Sequence, residues 1–196
     1  MSATKGTKVP RYRGGTAQIR IGGEAGQGVI LAGVMLAETA AEDGREVAQS
    51  ARYGAAVRGG VATADIVVSD EEIDFPHVEE PDYLVVLSQA TYDTLATVQK
   101  EGTLVLYDPF FVTPKDLPGV VQMSIPATDA ALKEFGKATG ANLITVSALS
   151  ELTGVITSTG LRAIVEKGPA KKFLASNLKA LALGKQMAAT AEEAMG

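Results

Sequence analysis

Apolar and polar residues alternate through Ala17-Gln18-Ile19-Arg20-Ile21, the period-two pattern of a strand. Glycines follow at 22, 23, 26 and 28. Val29, Leu31, Ala32, Met35, Leu36, Thr39 and Ala40 then recur at spacings of three and four, the stripe of a helix lying on a core. Gly44 stands where a glycine ends such a helix. Strand, glycine turn and helix open a β-α-β unit, with 47–50 as its second strand. Residues 62–69 read as another strand. The continuous apolar runs 83–88 and 103–107 suit strands covered on both faces of a parallel sheet. A short helix over 91–100 separates them, Asp108-Pro109 stops the second run, and 120–125 adds a strand before Pro126. Beyond these, 142–152, 161–167 and 170–189 are helical, the last with Phe173, Leu174, Leu178, Leu181 and Ala188 on one face. The pattern predicts one α/β domain over 16–196. Its core is an open, three-layer, Rossmann-like sheet, mostly parallel, with a helical C-terminal extension from about 142. Residues 1–15, polar and basic with Pro10, Gly14 and Gly15, read as a flexible arm.

Composition narrows the chemistry. A length of 196 residues fits one domain with a real core. The net charge of −5 carries no clustered Lys/Arg excess, so nucleic acid is not an expected partner. No apolar run reaches the length of a membrane span, and no apolar stretch follows the basic N-terminus as in a signal peptide; a soluble, cytoplasmic protein is expected. With no cysteine, the chain offers no disulfide, thiol nucleophile, cysteine zinc site or iron–sulfur ligand. His77 is the single histidine; in its acidic loop it reads as a surface or interface residue. Asp70-Glu71-Glu72 and Glu79-Glu80 read as solvated charge, because hard-cation loops need spaced oxygen ligands and a glycine bend. No catalytic residue and no metal site are expected in this chain.

The candidate chemistry lies in Gly22-Gly23-Glu24-Ala25-Gly26-Gln27-Gly28. A glycine turn between a strand and a helix lets a ligand approach the backbone. The helix behind it aims unpaired N–H groups and a positive dipole end into the turn, where a phosphate or pyrophosphate is the natural occupant. The N–H groups of Gly26, Gln27 and Gly28 are the expected contacts; tight strand-to-helix packing is the alternative use of the glycines. The order G-x-x-G-x-G departs from the dinucleotide fingerprint, since Ala25 stands where a glycine belongs. Gln49 and Ser50 stand where a ribose-binding acid belongs. A stand-alone NAD(P)-binding reductase or nucleotide-binding module is thereby the weaker reading. A second glycine-rich stretch, Tyr53-Gly54 to Arg58-Gly59-Gly60, is predicted as a loop at the same sheet edge. There Arg58 can present a planar fork to phosphate or carboxylate and Tyr53 can stack or join an interface, unless the stretch is an ordinary surface turn.

Taken together, Ile21 to Val29, Ala32-Gly33, Leu36-Ala37, Tyr53-Gly54, Arg58-Gly59-Gly60, Ser69 and Ile73-Asp74-Phe75-Pro76, with Asn142, Asn177 and Gly184 further on, resemble the gamma subunit of 2-oxoacid:ferredoxin (or other acceptor) oxidoreductases. Pyruvate, 2-oxoglutarate and arylglyoxylate enzymes are examples. The resemblance implies a complex that converts a 2-oxoacid and coenzyme A to acyl-CoA and carbon dioxide and passes electrons to ferredoxin or another acceptor. It implies alpha, beta and ferredoxin-like delta subunits as partners, with thiamine diphosphate, magnesium and iron–sulfur clusters held there. The Gly-Asp-Gly thiamine diphosphate signature is absent from this chain. For this subunit the resemblance implies help in binding coenzyme A, through Gly22, Gly23, Gly26, Gln27, Gly28, Val29 and Arg58. A purely structural assembly role is the alternative. Ala55-Ala56 departs from the family's usual proline and Glu or Gln, so no contact from side chain 56 is carried over.

Overall fold

The computed structural model describes residues 8–54, 60–168, 171 and 173–195. Its strands are β1 (Thr16–Glu24), β2 (Glu46–Tyr53), β3 (Val61–Ser69), β4 (Tyr83–Val86), β5 (Leu104–Tyr107) and β6 (Val121–Ser124). Its helices are α1 (Val29–Glu42), α2 (Gln89–Leu95), α3 (Ala127–Phe135), α4 (Ala141–Thr153), α5 (Ser158–Lys167) and α6 (Leu174–Glu193). The sheet order is β2-β3-β1-β4-β5-β6. The pairs β1–β4, β4–β5 and β5–β6 are parallel, whereas β3 is antiparallel to both β1 and β2.

The α/β architecture agrees with the sequence pattern, but the opening unit is wired differently. The strand after α1 does not pair with β1. It forms a hairpin with β3, and β3 inserts between them. Burial explains the order: β3 hides Ala62, Ala64, Ile66 and Val68 on one face and Asp65 and Val67 on the other, whereas no residue of β2 is fully buried. A strand buried on both faces takes the interior position, and the half-exposed one goes to the edge. All residues of β4 and β5 are buried, as their unbroken apolar runs require. One core lies on the side of α1 and α4; a smaller one, built from Leu84, Val86, Tyr92, Val105 and Tyr107, lies under α2. Burial, with Asp82 alongside, pushes the Tyr83 phenol up to about 12.

The helices after residue 140 are not an appendage. In α4, Ile144, Ala148, Leu149 and Leu152 are fully enclosed, and Thr145, Ser147, Ser150 and Thr153 are buried with them. Their hydroxyls return hydrogen bonds to the carbonyls of Ala141 (2.9 Å), Leu181 (2.8 Å), Ile156 (2.9 Å) and Leu149 (2.7 Å). That satisfaction lets a helix with polar residues all round sit in the interior. The face of α6 expected to be covered is enclosed only in part, at Ala188. Phe173 is exposed and Leu174, Leu178 and Leu181 are only partly covered, while Ala180, Gly184 and Ala188 are buried. These small residues let α6 approach the backbone of α4. A Cβ on Gly184 would run into the Ile144 carbonyl and stand 2.6 Å from Ser147 Cβ.

Residues 8–15, expected to swing free, are strapped to the domain. The Tyr12 N–H donates to Thr153 O at 2.8 Å, and the Arg45 guanidinium lies 4.4 Å above the Tyr12 ring. Arg11 pairs with Glu192 at 2.6 Å, and the Gly15 N–H donates to Asp70 at 2.9 Å. A short segment whose backbone and aromatic ring both find partners gains enough to offset its ordering. Gly184→Val is expected to lower unfolding free energy by about 1–3 kcal/mol, the usual cost of overpacking, read by urea or thermal denaturation.

Candidate functional site

The turn from β1 to α1 is held by one side chain. Gln27 Oε1 accepts the Glu24 N–H at 2.6 Å, and Gln27 Nε2 donates to Leu87 O, just past β4, at 2.6 Å. The Gln27 N–H itself donates to Glu24 O at 3.1 Å. Gln27 therefore shapes the turn, and its amide, expected at a phosphate, is already paired. Gly23 makes the clasp possible, since a Cβ there would stand 2.7 Å from Gln27 Oε1 and 2.8 Å from Val29 Cγ2. Gly22 serves packing, its would-be Cβ standing 2.9 Å from Leu95 Cδ1 under α2. The Val29 side chain is core.

Gly26 and Gly28 are different. Both have positive φ, +100° and +76°, a backbone state that only glycine adopts freely. A Cβ on Gly26 would meet nothing within 4 Å, so that face of the turn is open. Among the described residues, the Gly26 and Gly28 N–H groups have no acceptor. Gly28 is also where α1 meets α4: a Cβ there would lie 2.6 Å from Asn142 Nδ2.

These residues line a cavity of about 360 Å³. Its other walls are Leu31 of α1, Leu87, the Asp108–Phe111 corner after β5, Thr128 of α3, and the 138–142 segment leading into α4. Two helices of 14 and 13 residues, α1 and α4, begin at this cavity on glycines, Gly28 and Gly140. Neither has a side-chain cap or an acid in its first turn. The contrast is with α2 and α5, which Ser88 and Thr157 cap. Two uncapped N-termini thus place unpaired N–H groups and positive dipole ends on one space. The third helix start is already neutralised: buried Asp108 accepts the Thr128 N–H at 2.8 Å and the Phe110 N–H at 3.0 Å. The cavity is therefore polarised, anion-attracting at Gly26, Gly28 and 140–142 and anion-repelling at Asp108. Exposed Leu31 and Phe111 form an apolar lip, with Phe110 edge-on to Phe111 at 4.8 Å.

The second glycine-rich stretch starts and ends beside this turn. The Ala25 N–H donates to Gly60 O at 3.1 Å and the Gly54 N–H to Val61 O at 2.7 Å. Tyr53 is exposed there; Arg58 lies outside the described residues. His77 does not line the cavity and stands edge-on to Phe75. From the sequence, Asp108-Pro109 ends a strand at the expected ligand edge and reads first as a turn that stops it; Leu31, Phe111 and the Gly140 end of α4 carry no such expectation. The legible signals were an exposed aromatic pair after Asp108-Pro109 and a second glycine leading directly into a helix.

Comparison with known proteins gives the family and the fold. The family model described as pyruvate ferredoxin/flavodoxin oxidoreductase matches residues 18–187. The 2-oxoglutarate synthase subunit KorC of Methanocaldococcus jannaschii is 39% identical over 175 residues, 87% of this chain and 93% of that subunit. The crystal structure of the keto/oxoacid ferredoxin oxidoreductase gamma subunit from Geobacter sulfurreducens has a TM-score of 0.78 at 32% identity, covering 90% of this chain and 98% of that one. The 2-oxoglutarate:ferredoxin oxidoreductase from Magnetococcus marinus, with 2-oxoglutarate, coenzyme A and succinyl-CoA bound, has a TM-score of 0.83 at 29% identity, covering 91% of this chain but 32% of that one. A domain-long family match and near full-length relatives, on a fold shared with both solved structures, place this chain in the pyruvate ferredoxin/flavodoxin oxidoreductase family.

Proposed function

We propose that this chain is the gamma subunit of a 2-oxoacid:ferredoxin oxidoreductase complex and that its cavity anchors the phosphates of coenzyme A. The observation that carries the reading is the convergence of two uncapped helix N-termini and two open glycine amides on one cavity. Such a place favours a diphosphate, and coenzyme A is bound in the related Magnetococcus marinus enzyme. Alpha, beta and ferredoxin-like delta subunits are the proposed partners. A chain without cysteine leaves cluster ligation by cysteine to them. Thiamine diphosphate, held with magnesium in those partners, supplies the decarboxylation of the oxoacid.

The division of labour within the cavity follows from its polarity. The N–H groups of Gly26 and Gly28 and the first turn of α4 bind the phosphates. Asp108 repels them and so fixes which end of the cavity they occupy. Leu31 and Phe111 cover uncharged parts of the carrier. Binding energy from this remote handle orients the thiol that must meet the acyl group on the partner subunits.

Asn142→Asp adds a negative charge at the anion-attracting end. It is expected to raise the KM for coenzyme A in the assembled complex about tenfold or more, with kcat at saturating coenzyme A near wild type. An unchanged KM in an intact complex overturns the proposal. Phe111→Ala, which removes the apolar lip, is expected to raise the same KM by about two- to tenfold, measured by initial rates against coenzyme A concentration.

A further inference from the structure

Strand β2 is the outer strand of the sheet, and nothing in the described fold covers its free edge. Its hydrogen-bonding register is fixed. Gly54 stands opposite Val61 in the ladder that pairs Glu46 with Ser69, and its N–H donates to Val61 O. Every second residue from there, Arg52, Ser50, Ala48 and Glu46, turns its N–H and C=O toward β3. Val47, Gln49, Ala51 and Tyr53 turn theirs outward. Long free edges are normally blunted by lysine, proline or a bulge. Here Val47 to Ala51 contains no charge and no proline, and the ladder runs without a bulge.

Charge sits only at the two ends of this segment, with opposite sign and on one face. Arg52 bonds Asp65 through one nitrogen at 2.9 Å, yet its side chain is 67% exposed. Asp65 is already engaged by the Arg20 fork at 2.6 and 2.8 Å. Two guanidiniums on one buried carboxylate leave a surplus positive charge at the edge. Glu46, exposed at the other end of the same face, has no ion-pair partner among the described residues.

From this pattern we infer that β2 pairs antiparallel with β2 of a second copy of this chain, about a two-fold axis at Gln49. In that register Gln49 exchanges its N–H and C=O with Gln49 of the second copy, and Val47 does so with Ala51. The outward-facing set is the one this pairing uses. The same register sets Glu46 opposite Arg52 of the second copy, twice by symmetry. The two sheets become one, and the unblunted edge disappears. An edge of eight residues carrying a self-complementary charge pair fits its own copy.

The test is sedimentation of the full chain at micromolar concentration, together with native mass spectrometry of the assembled complex. The wild-type chain is expected to be a dimer and to occur in pairs in the complex. Gln49→Pro removes an outward N–H without touching the ladder to β3. It is expected to give a monomer with unchanged circular dichroism. Glu46→Arg sets like charges opposite each other and is expected to raise the dimer Kd about tenfold at low salt. A wild-type chain that is monomeric in both settings overturns the inference, as does a dimer indifferent to both substitutions. Loss of other subunits from Gln49→Pro while the wild-type chain stays single also overturns it, by assigning the edge to a strand of a different subunit.

Discussion

The carboxamide of Gln27 joins the ends of two parallel strands, accepting from Glu24 at the end of β1 and donating to Leu87 just past β4. A turn with glycines at 26 and 28 has many conformations open to it, and ordering it costs more than ordering any other residue type. Two short hydrogen bonds from one buried-side anchor select a single conformation. Because the clasp takes the Gln27 amides internally, it decides which backbone groups remain for a ligand. Gly26 and Gly28 are left facing outward, and α1 starts in a fixed direction. The bare Cα of Gly23 is what admits the clasp.

The second half of the site depends on packing far from it. The N-terminus of α4 reaches the cavity because the helix is buried among α1, α3 and α6, with α6 drawn close along Ala180, Gly184 and Ala188. Asn142 stands over Gly28, its Nδ2 3.4 Å from the Gly28 carbonyl, so the two helix starts are in contact. Each dipole end is individually modest, and its influence is confined to the first turn. Placing two of them on one cavity, with Asp108 as counterweight, makes a directional field from ordinary parts.

The part of the second sheet face that α2 leaves uncovered is managed by charge. Behind β1, β3 and β2, the carboxylate of Asp65 is buried between Arg20 and Arg52, and Arg20 also donates to Val78 O at 2.7 Å, tying down the 70–82 loop. A buried carboxylate is tolerable only when its lone pairs are met. The cluster lets β3 lie in the sheet interior while its second face remains polar.

Local periodicity by itself determined a great deal: the strand–glycine–helix opening, the buried runs of β4 and β5, the helical character after residue 140, and the glycine turn as the chemical focus. These follow from side-chain alternation and from backbone states open only to glycine, both short-range properties. The resemblance carried by the two glycine stretches extended that reading to a family. Tertiary structure alone decided that β3 inserts between β1 and β2, that α4 is core, and that residues 8–15 are strapped down. Those outcomes depend on which apolar faces meet. Tertiary structure also divided the glycines: Gly22 packs on Leu95 of α2, Gly23 is hemmed in by Gln27, Val29 and Leu87, and Gly26 and Gly28 line the cavity. A string of glycines carries no mark of what stands opposite each missing Cβ; that is set by Leu95, Leu87 and Asn142, brought there by the fold.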